Sequence, residues 1–357
     1  MTIRVAQYGT GNAGMLTLRQ LIEDPRFDLV AVGVSDPAKV DRDAGELARL
    51  DVTTGVRAVG SLDAVIASAP DCVVYCAMGD TRPVEATQDV RRILAAGIDV
   101  VGSAPGTLQF PWGTMPDGVT AKVEAAAQEG GASVYVTGVD PGFASDLLPL
   151  ALASTCQRID QVRCYELADY ATYDGAEVMF DLMGFGAPVD STPMLFLPGV
   201  LALAWGTAIR MMATGLGVEV DDIVEHWEVE PAPESYDIAA GRIEAGTIAA
   251  LRFSITGMVR GEPRIVVEHV TRTRADLRPD WPRPATGEGA YRVEIDGEPS
   301  YVMDLVPSSA HGDHNHAAIV AGCGRIVNAI PDVVAAPPGI RTTLDLPLPT
   351  GRGVRVG

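Results

Sequence analysis

The chain has 357 residues, of which 47% are hydrophobic and 21% charged, and its formal net charge is −20. That length favours two domains over one, and the composition is that of a globular protein. The acidic balance argues against a general affinity for nucleic acid or an anionic membrane, while a local basic pocket for a phosphorylated cofactor stays open.

The first elements alternate at short intervals. Ile3 to Tyr8 reads as a strand, and Met15 to Glu23 as a helix with Leu16, Leu18, Leu21 and Ile22 at helical spacing, stopped by Asp24-Pro25. Phe27 to Val34 and Asp71 to Ala77 are nearly continuous apolar runs, as buried strands are, and Ile98 to Val101 and Ser133 to Thr137 add two more. Lys39 to Leu50 and Pro83 to Ala96 read as helices between them. This is the pattern of a Rossmann-type, doubly wound parallel sheet, here expected over residues 1–140. Residues 141–310 change character. Gln161 to Tyr165, Ala249 to Val259, Arg264 to Arg274 and Tyr291 to Asp296 read as longer strands, with a hairpin turn at Gly261-Glu262-Pro263. They predict a second α+β domain, for substrate binding and dimerisation, with a mixed or antiparallel sheet. Met194 to Met212 is the most apolar stretch, but Pro198, Gly199, Gly206 and Arg210 interrupt it, so it reads as a buried or interface helix rather than a membrane span. Residues 311–357 are expected to return to the first domain as a helix over Ala317 to Ala329 and a proline-rich tail from Pro331. The five cysteines are scattered without zinc-ligand spacing and read as small core residues. With no signal-peptide pattern at the N-terminus, a cytoplasmic location is expected.

Gly9-Thr10-Gly11-Asn12-Ala13-Gly14 is a complete GxGxxG that follows a strand and opens a helix. Gly9 would permit a tight turn, Gly11 would let the backbone approach a pyrophosphate, and Gly14 would let helix and strand pack closely. The phosphates would then meet the free N–H groups and positive dipole end of the helix. The next strand leads into Ser35-Asp36-Pro37-Ala38-Lys39, followed by Arg42. An acid at a strand tip selects NAD(H) through the ribose 2′-OH, but Asp36 sits one place late for that role. Ser35, Lys39 and Arg42 suit a 2′-phosphate, which favours NADP(H) with NAD(H) as the alternative; Lys39 and Arg42 also fit a plain solvated helix face. The loops at Ala77-Met78-Gly79-Asp80-Thr81 and from Gly102-Ser103 to Trp112 occupy the same carboxyl edge, so Ala77, Met78 and Ser103 join the cofactor candidates.

The glycine loop, the segment Thr137-Gly138-Val139-Asp140-Pro141-Gly142-Phe143-Ala144-Ser145-Asp146, the segment Met183-Gly184-Phe185-Gly186 and the run Arg325-Ile326-Val327-Asn328-Ala329-Ile330-Pro331 together resemble the dihydrodipicolinate-reductase-like oxidoreductases. Within these the chain looks most like 2,4-diaminopentanoate dehydrogenase and the native amine dehydrogenases. The resemblance implies a dinucleotide-binding domain, a mixed second domain, a homodimer, and hydride transfer between a nicotinamide and an imine carbon. It also implies a glutamate on the loop after the strand at Val100. Ser103 to Pro111 holds no Glu or Asp, and Gly106 or Thr107 would occupy the place.

The catalytic candidates are therefore Thr107 and Gln109 on that loop, Asp140 before Pro141, the phenols of Tyr170 and Tyr173, and His311 as a proton shuttle. Asp140 equally suits a turn, and the two tyrosines equally suit a core. Phe143, Met179, Met183 and Phe185 read as an adaptable apolar wall for a substrate, or as core. Asn328, with Arg325 one helical turn before it, is a candidate contact to the cofactor. The histidines His311, His314 and His316 cluster, but hydride transfer asks for no metal and none is expected. The reading is an amine-dehydrogenase-like enzyme acting on a small, mostly apolar carbonyl compound. The alternatives are a reductase of C=O or C=C without ammonia, and a dinucleotide-binding sensor.

Overall fold

The structure is a computed structural model that describes residues 2–79 and 82–351; Asp80 and Thr81 of the third-strand loop lie outside the described residues. The chain divides into two compact units, residues 1–143 with 319–357, and residues 144–318.

The first unit carries β1 (Ile3–Tyr8), α1 (Asn12–Glu23), β2 (Phe27–Gly33), α2 (Ala44–Leu47), β3 (Ala58–Val59), α3 (Leu62–Ala67), β4 (Cys72–Tyr75), α4 (Pro83–Ala95), β5 (Asp99–Gly102), α5 (Asp117–Gly130) and β6 (Ser133–Val136). Ala6, Val73, Val74, Val100, Val101 and Val134 are fully buried, as apolar strands covered on both faces must be.

The second unit carries α6 (Leu147–Ala153), β7 (Arg158–Asp169), α7 (Val200–Leu216), β8 (Asp222–Pro231), a small ribbon of β9 (Tyr236–Ile238) and β10 (Gly241–Ile243), then β11 (Ile248–Val259), β12 (Glu262–Arg272), β13 (Gly289–Glu298) and β14 (Tyr301–Leu305). Among the described residues its main sheet has the order β14-β13-β7-β12-β11-β8. β7 pairs parallel with β12 and the other pairs are antiparallel, so the sheet is mixed. Ile209 and Met212 of α7 join Phe253, Ile255 and Val267 in its core.

The chain leaves the second unit through α8 (His314–Val334), and the last regular element among the described residues is β15 (Gly339–Arg341). β15 joins the parallel sheet of the first unit, whose order among the described residues is β15-β6-β5-β4-β1-β2-β3. α8 is long and apolar enough to cross a membrane. It is nonetheless a core helix, since Ile326, Val327, Ile330 and Val333 pack with Val5, Leu21 and Val101.

Three expectations need correction. The helix expected over Lys39 to Leu50 is a 3₁₀ turn, Pro37–Lys39, and the single turn α2. Asp36 and Asp43 each accept from a backbone N–H two residues on, Ala38 and Gly45, and so start two separate turns. Pro331 lies inside α8 instead of opening the tail. Proline removes one helical hydrogen bond, at a cost of about 3 kcal/mol, but the full burial of Ile330 and Val333 offsets that loss. The hairpin turn falls at Arg260-Gly261, both at positive φ (54° and 76°), and Glu262 and Pro263 already belong to β12.

Asp99 at the start of β5 accepts a hydrogen bond from Ser133 N at 2.6 Å, yet burial raises its carboxyl to about 6. The folded state therefore binds this proton more tightly than the unfolded chain, and stability falls as pH rises from about 4 to about 6. Asp99→Asn keeps the acceptor and removes the charge. Its melting temperature should exceed that of the parent at pH 8, with the gap shrinking as pH falls below about 6. A constant gap across this range, in thermal unfolding, would contradict the assignment.

Candidate active site

The turn between β1 and α1 is set by contacts that only glycine permits. Gly9 has φ +93°, and a Cβ there would lie 2.6 Å from the Cys76 carbonyl at the end of β4. A Cβ on Gly14 would lie 2.2 Å from the Gly9 carbonyl oxygen. Gly11 differs: an added Cβ meets nothing within 4 Å, and its backbone is extended with φ −73°. Gly11 is the N-cap of α1, no side chain caps that terminus, and the first turn holds no acid. The helix thus presents its positive end and backbone amides beside open space, a cradle for an anion. Thr10 and Ala13 are half-buried within the turn and Asn12 is exposed.

The turn is braced from below by residues that sequence reasoning missed. Gln7, fully buried in β1, donates from Nε2 to the Gly9 carbonyl at 2.9 Å. Thr17 donates from Oγ1 toward Gln7 Oε1 at 3.0 Å and sits 3.1 Å from the Gly14 carbonyl. One signal was available: Gln7 is the lone amide in an apolar strand, and a buried polar group needs partners.

Past β2, Ser35 and Asp36 are exposed. Lys39 reaches back across the fold, its Nζ donating to the Thr10 carbonyl at 3.0 Å and to Thr10 Oγ1 at 3.3 Å. This brings a cation to the second residue of the glycine loop. Arg42 is instead engaged with Glu46 at 2.8 Å, an exposed i,i+4 pair on a solvated helix face. Of the other carboxyl-edge candidates, Met78 and Ser103 are exposed and Ala77 is half-buried. Thr107 and Gln109 lie on the 3₁₀ turn Gly106–Gln109, Thr107 half-buried and Gln109 buried. Asp140 and Pro141 form the tip of a turn closed by the Val139–Gly142 bridge, and Phe143 donates its N–H to the Gly138 carbonyl.

Asn328 requires correction as a cofactor residue. Its Oδ1 accepts from Arg26, which immediately precedes β2, so it serves the amino end of the strands, opposite the glycine loop. Arg325 donates to the Tyr135 hydroxyl at 2.9 Å and is buried.

In the second unit, Tyr170 donates its hydroxyl to Glu166 Oε1 at 2.5 Å. Burial, then the charge of Glu166, push the phenol well above its ordinary range, so it stays a donor. The Tyr173 ring lies 5.5 Å from that of Tyr170. Glu166 is buried in β7, with His269 Nδ1 of β12 at 4.0 Å. Of the expected apolar wall, Met179, Met183 and Phe185 are buried in the hydrophobic core of the unit, at 0%, 7% and 1% exposure, the core placement the sequence left open. The histidine cluster is also dispersed in role. His311 is exposed, its N–H donating to Ser309 Oγ, while His314 donates from Nε2 to the Asp169 carbonyl at 2.6 Å. Asp313 caps α8 by accepting from His316 N.

Residues 143–354 match the family model described as the 2,4-diaminopentanoate dehydrogenase C-terminal domain. The chain is 42% identical over 348 residues, 97% of its length and 96% of the relative's, to an amine dehydrogenase of Streptomyces virginiae. It is 27% identical, over 82% of its own length and 78% of the relative's, to 2,4-diaminopentanoate dehydrogenase of Acetoanaerobium sticklandii. Among solved structures, the amine dehydrogenase from Mycobacterium smegmatis superposes with a TM-score of 0.80 at 22% identity, covering 99% of this chain and 98% of that one.

The two kinds of glycine separate packing from ligand approach. Gly14→Ala forces a backbone clash and should cost about 1–3 kcal/mol of stability. Gly11→Ala should leave stability within about 0.5 kcal/mol while weakening dinucleotide binding about tenfold or more. Thermal unfolding and calorimetry measure the pair. A Gly11→Ala protein that binds NADPH and NADH as the parent does would remove the diphosphate from this turn.

Proposed function

The chain belongs to the family of amine dehydrogenases and 2,4-diaminopentanoate dehydrogenases, and from that premise we propose that it interconverts a small, mostly apolar ketone or aldehyde plus ammonia with an amine, using a nicotinamide dinucleotide. The observation that carries this reading is the whole-length likeness to an amine dehydrogenase. The glycine turn agrees with it, because its open, uncapped helix terminus fits a diphosphate. When bound, the nicotinamide supplies or accepts the hydride. The protein's part is to hold the dinucleotide at Gly9 to Gly14, orient the substrate carbon, and move protons on and off nitrogen and oxygen.

NADP(H) is the favoured cofactor in this reading. The cation of Lys39 beside Thr10 supports that choice, as does Ser35, exposed just past the end of β2. Arg42 contributes little, its charge being already balanced by Glu46. A homodimer in the cytoplasm belongs to the same reading. Five free thiols support a reducing compartment.

A second reading, reduction of C=O or C=C without ammonia, is favoured by one observation: Ser103 to Pro111 offers the amide of Gln109, and no carboxylate. Nicotinamide fluorescence over a panel of ketones, with and without concentrated ammonium, separates the two. Oxidation of NADPH that requires ammonium is expected; oxidation independent of ammonium would transfer the assignment to the second reading, and none at all would contradict both. In the same assay Lys39→Ala should raise the Kd for NADPH about tenfold or more, as loss of a charged hydrogen bond does, and leave that for NADH nearly unchanged. Equal weakening of both would contradict the phosphate role.

A further inference from the structure

Arg272 ends β12 and lies level with Asp169, the last residue of β7, across the parallel pair of strands. Both side chains belong to the sheet face opposite α7, because Cys164 and His269, an odd number of residues earlier on the same strands, meet Met212 and Trp205 of that helix. Arg272 is 3% exposed, yet among the described residues it forms no ion pair. Its Nε donates to the Leu277 carbonyl at 2.9 Å and its Nη2 to the carbonyls of Arg278 and Trp281 at 3.1 and 3.2 Å, which leaves Nη1 without an acceptor. A buried charge in this state is costly, because neutral carbonyls replace water without supplying an opposite charge.

Arg283 sharpens the imbalance. Its Nη2 donates to the same Leu277 carbonyl at 3.1 Å and its Nη1 to the Ala275 carbonyl at 2.7 Å, so two guanidiniums meet at one oxygen. Among the described residues Arg283 forms no ion pair either. Burial, then the nearby charge of Arg283, brings the Arg272 guanidinium down to about 10, against the more distant pull of Asp169 and Asp280.

Arg272 and Arg283 line a cavity of about 120 Å³ together with the carboxylates of Asp169 and Glu288. Asp169 Oδ1 accepts from Ala171 N at 2.8 Å, and burial, joined by the charge of Glu288, pushes this carboxyl above its ordinary range. Glu288 is exposed and stands 3.8 Å from His314 Nδ1. Ala275 and Gly287 also line the cavity and are exposed, so it opens to solvent. All of its residues belong to the second unit, whereas the glycine turn belongs to the first.

We propose that this cavity binds a small zwitterion, an α-amino acid no larger than about alanine, with its carboxylate on Arg272 and Arg283 and its ammonium on Asp169 and Glu288. The charge pattern selects this class. A bare anion entering here meets two carboxylates, and a bare cation meets two guanidiniums. A zwitterion meets neither conflict and gives each side of the lining an opposite charge. The volume sets the size, since about 30 Å³ for each water-sized group leaves room for about four of them, enough for a carboxylate, an ammonium and a very short side chain.

The test is calorimetry on the full chain without nucleotide, with L-alanine, propionate, ethylamine and inorganic phosphate as the probes. L-Alanine should bind with a Kd of about 10 mM or tighter and raise the melting temperature as its concentration rises. The other three should bind about tenfold more weakly or worse. Arg283→Gln should weaken L-alanine about tenfold, as loss of a charged hydrogen bond does, and leave the affinity for NADPH as in the parent. Asp169→Asn keeps the acceptor for Ala171 N and should move two probes in opposite directions, L-alanine binding more weakly and propionate more tightly. A merely structural defect would not produce that reversal, so this variant decides should Arg283→Gln fail to fold. Absence of L-alanine binding, propionate or phosphate binding as tightly as L-alanine, or an L-alanine affinity indifferent to both substitutions overturns the site.

Discussion

Two backbone segments of the first unit approach each other more closely than any side chain allows. The carbonyl of Cys76 closes on Gly9, and the carbonyl of Gly9 closes on Gly14. These contacts tie the end of β4, the end of β1 and the first turn of α1 into one rigid corner, with Gln7 and Thr17 satisfying its polar groups from within. What remains open is the outer side, where Gly11 meets nothing and no side chain caps the helix. A helix terminus left in this state is an electrostatic asset with an unmet demand, because its dipole and amides favour an anion. The placement of Lys39, and the meaning of every loop on the same sheet edge, follow from that corner.

The second unit works by contrast. Its mixed sheet carries an apolar face packed by α7, and into this face the sequence inserts a row of polar and aromatic side chains. Burying a carboxylate is costly unless partners hold it. Glu268 meets that cost with two arginines and Glu166 with a hydroxyl and a neighbouring imidazole.

What could be read in advance follows a physical rule. The glycine corner was legible because the backbone conformations it requires exclude other residues, so the need is written as residue identity. The alternation of apolar strands and helices was legible for a similar reason, since burial on both faces demands unbroken apolar runs. Contacts between distant segments were not. Helical spacing gives the face that Asn328 occupies, yet not the end of the sheet it serves, and it serves the amino end beside Arg26. Met179 and Phe185 have the composition of a pocket wall and of a core alike, and burial decides for the core. Glu166 escaped notice because the second half of β7 is buried without a break from Cys164 to Ala168, which erases the alternation that would mark an inward acid as unusual. Its partner Tyr170 was visible as a residue type, but a hydrogen bond between i and i+4 across the end of a strand leaves no periodic trace.

The claim that most of this depends on is that the entrance of α1 receives a dinucleotide diphosphate. Hydrogen exchange at the backbone amides of Thr10 to Met15, followed with and without saturating NADPH or NADH, reports on it directly. The account predicts marked slowing at these amides on addition of either nucleotide, with the amino ends of the same strands little changed. Exchange at Thr10 to Met15 that is indifferent to both nucleotides would contradict it.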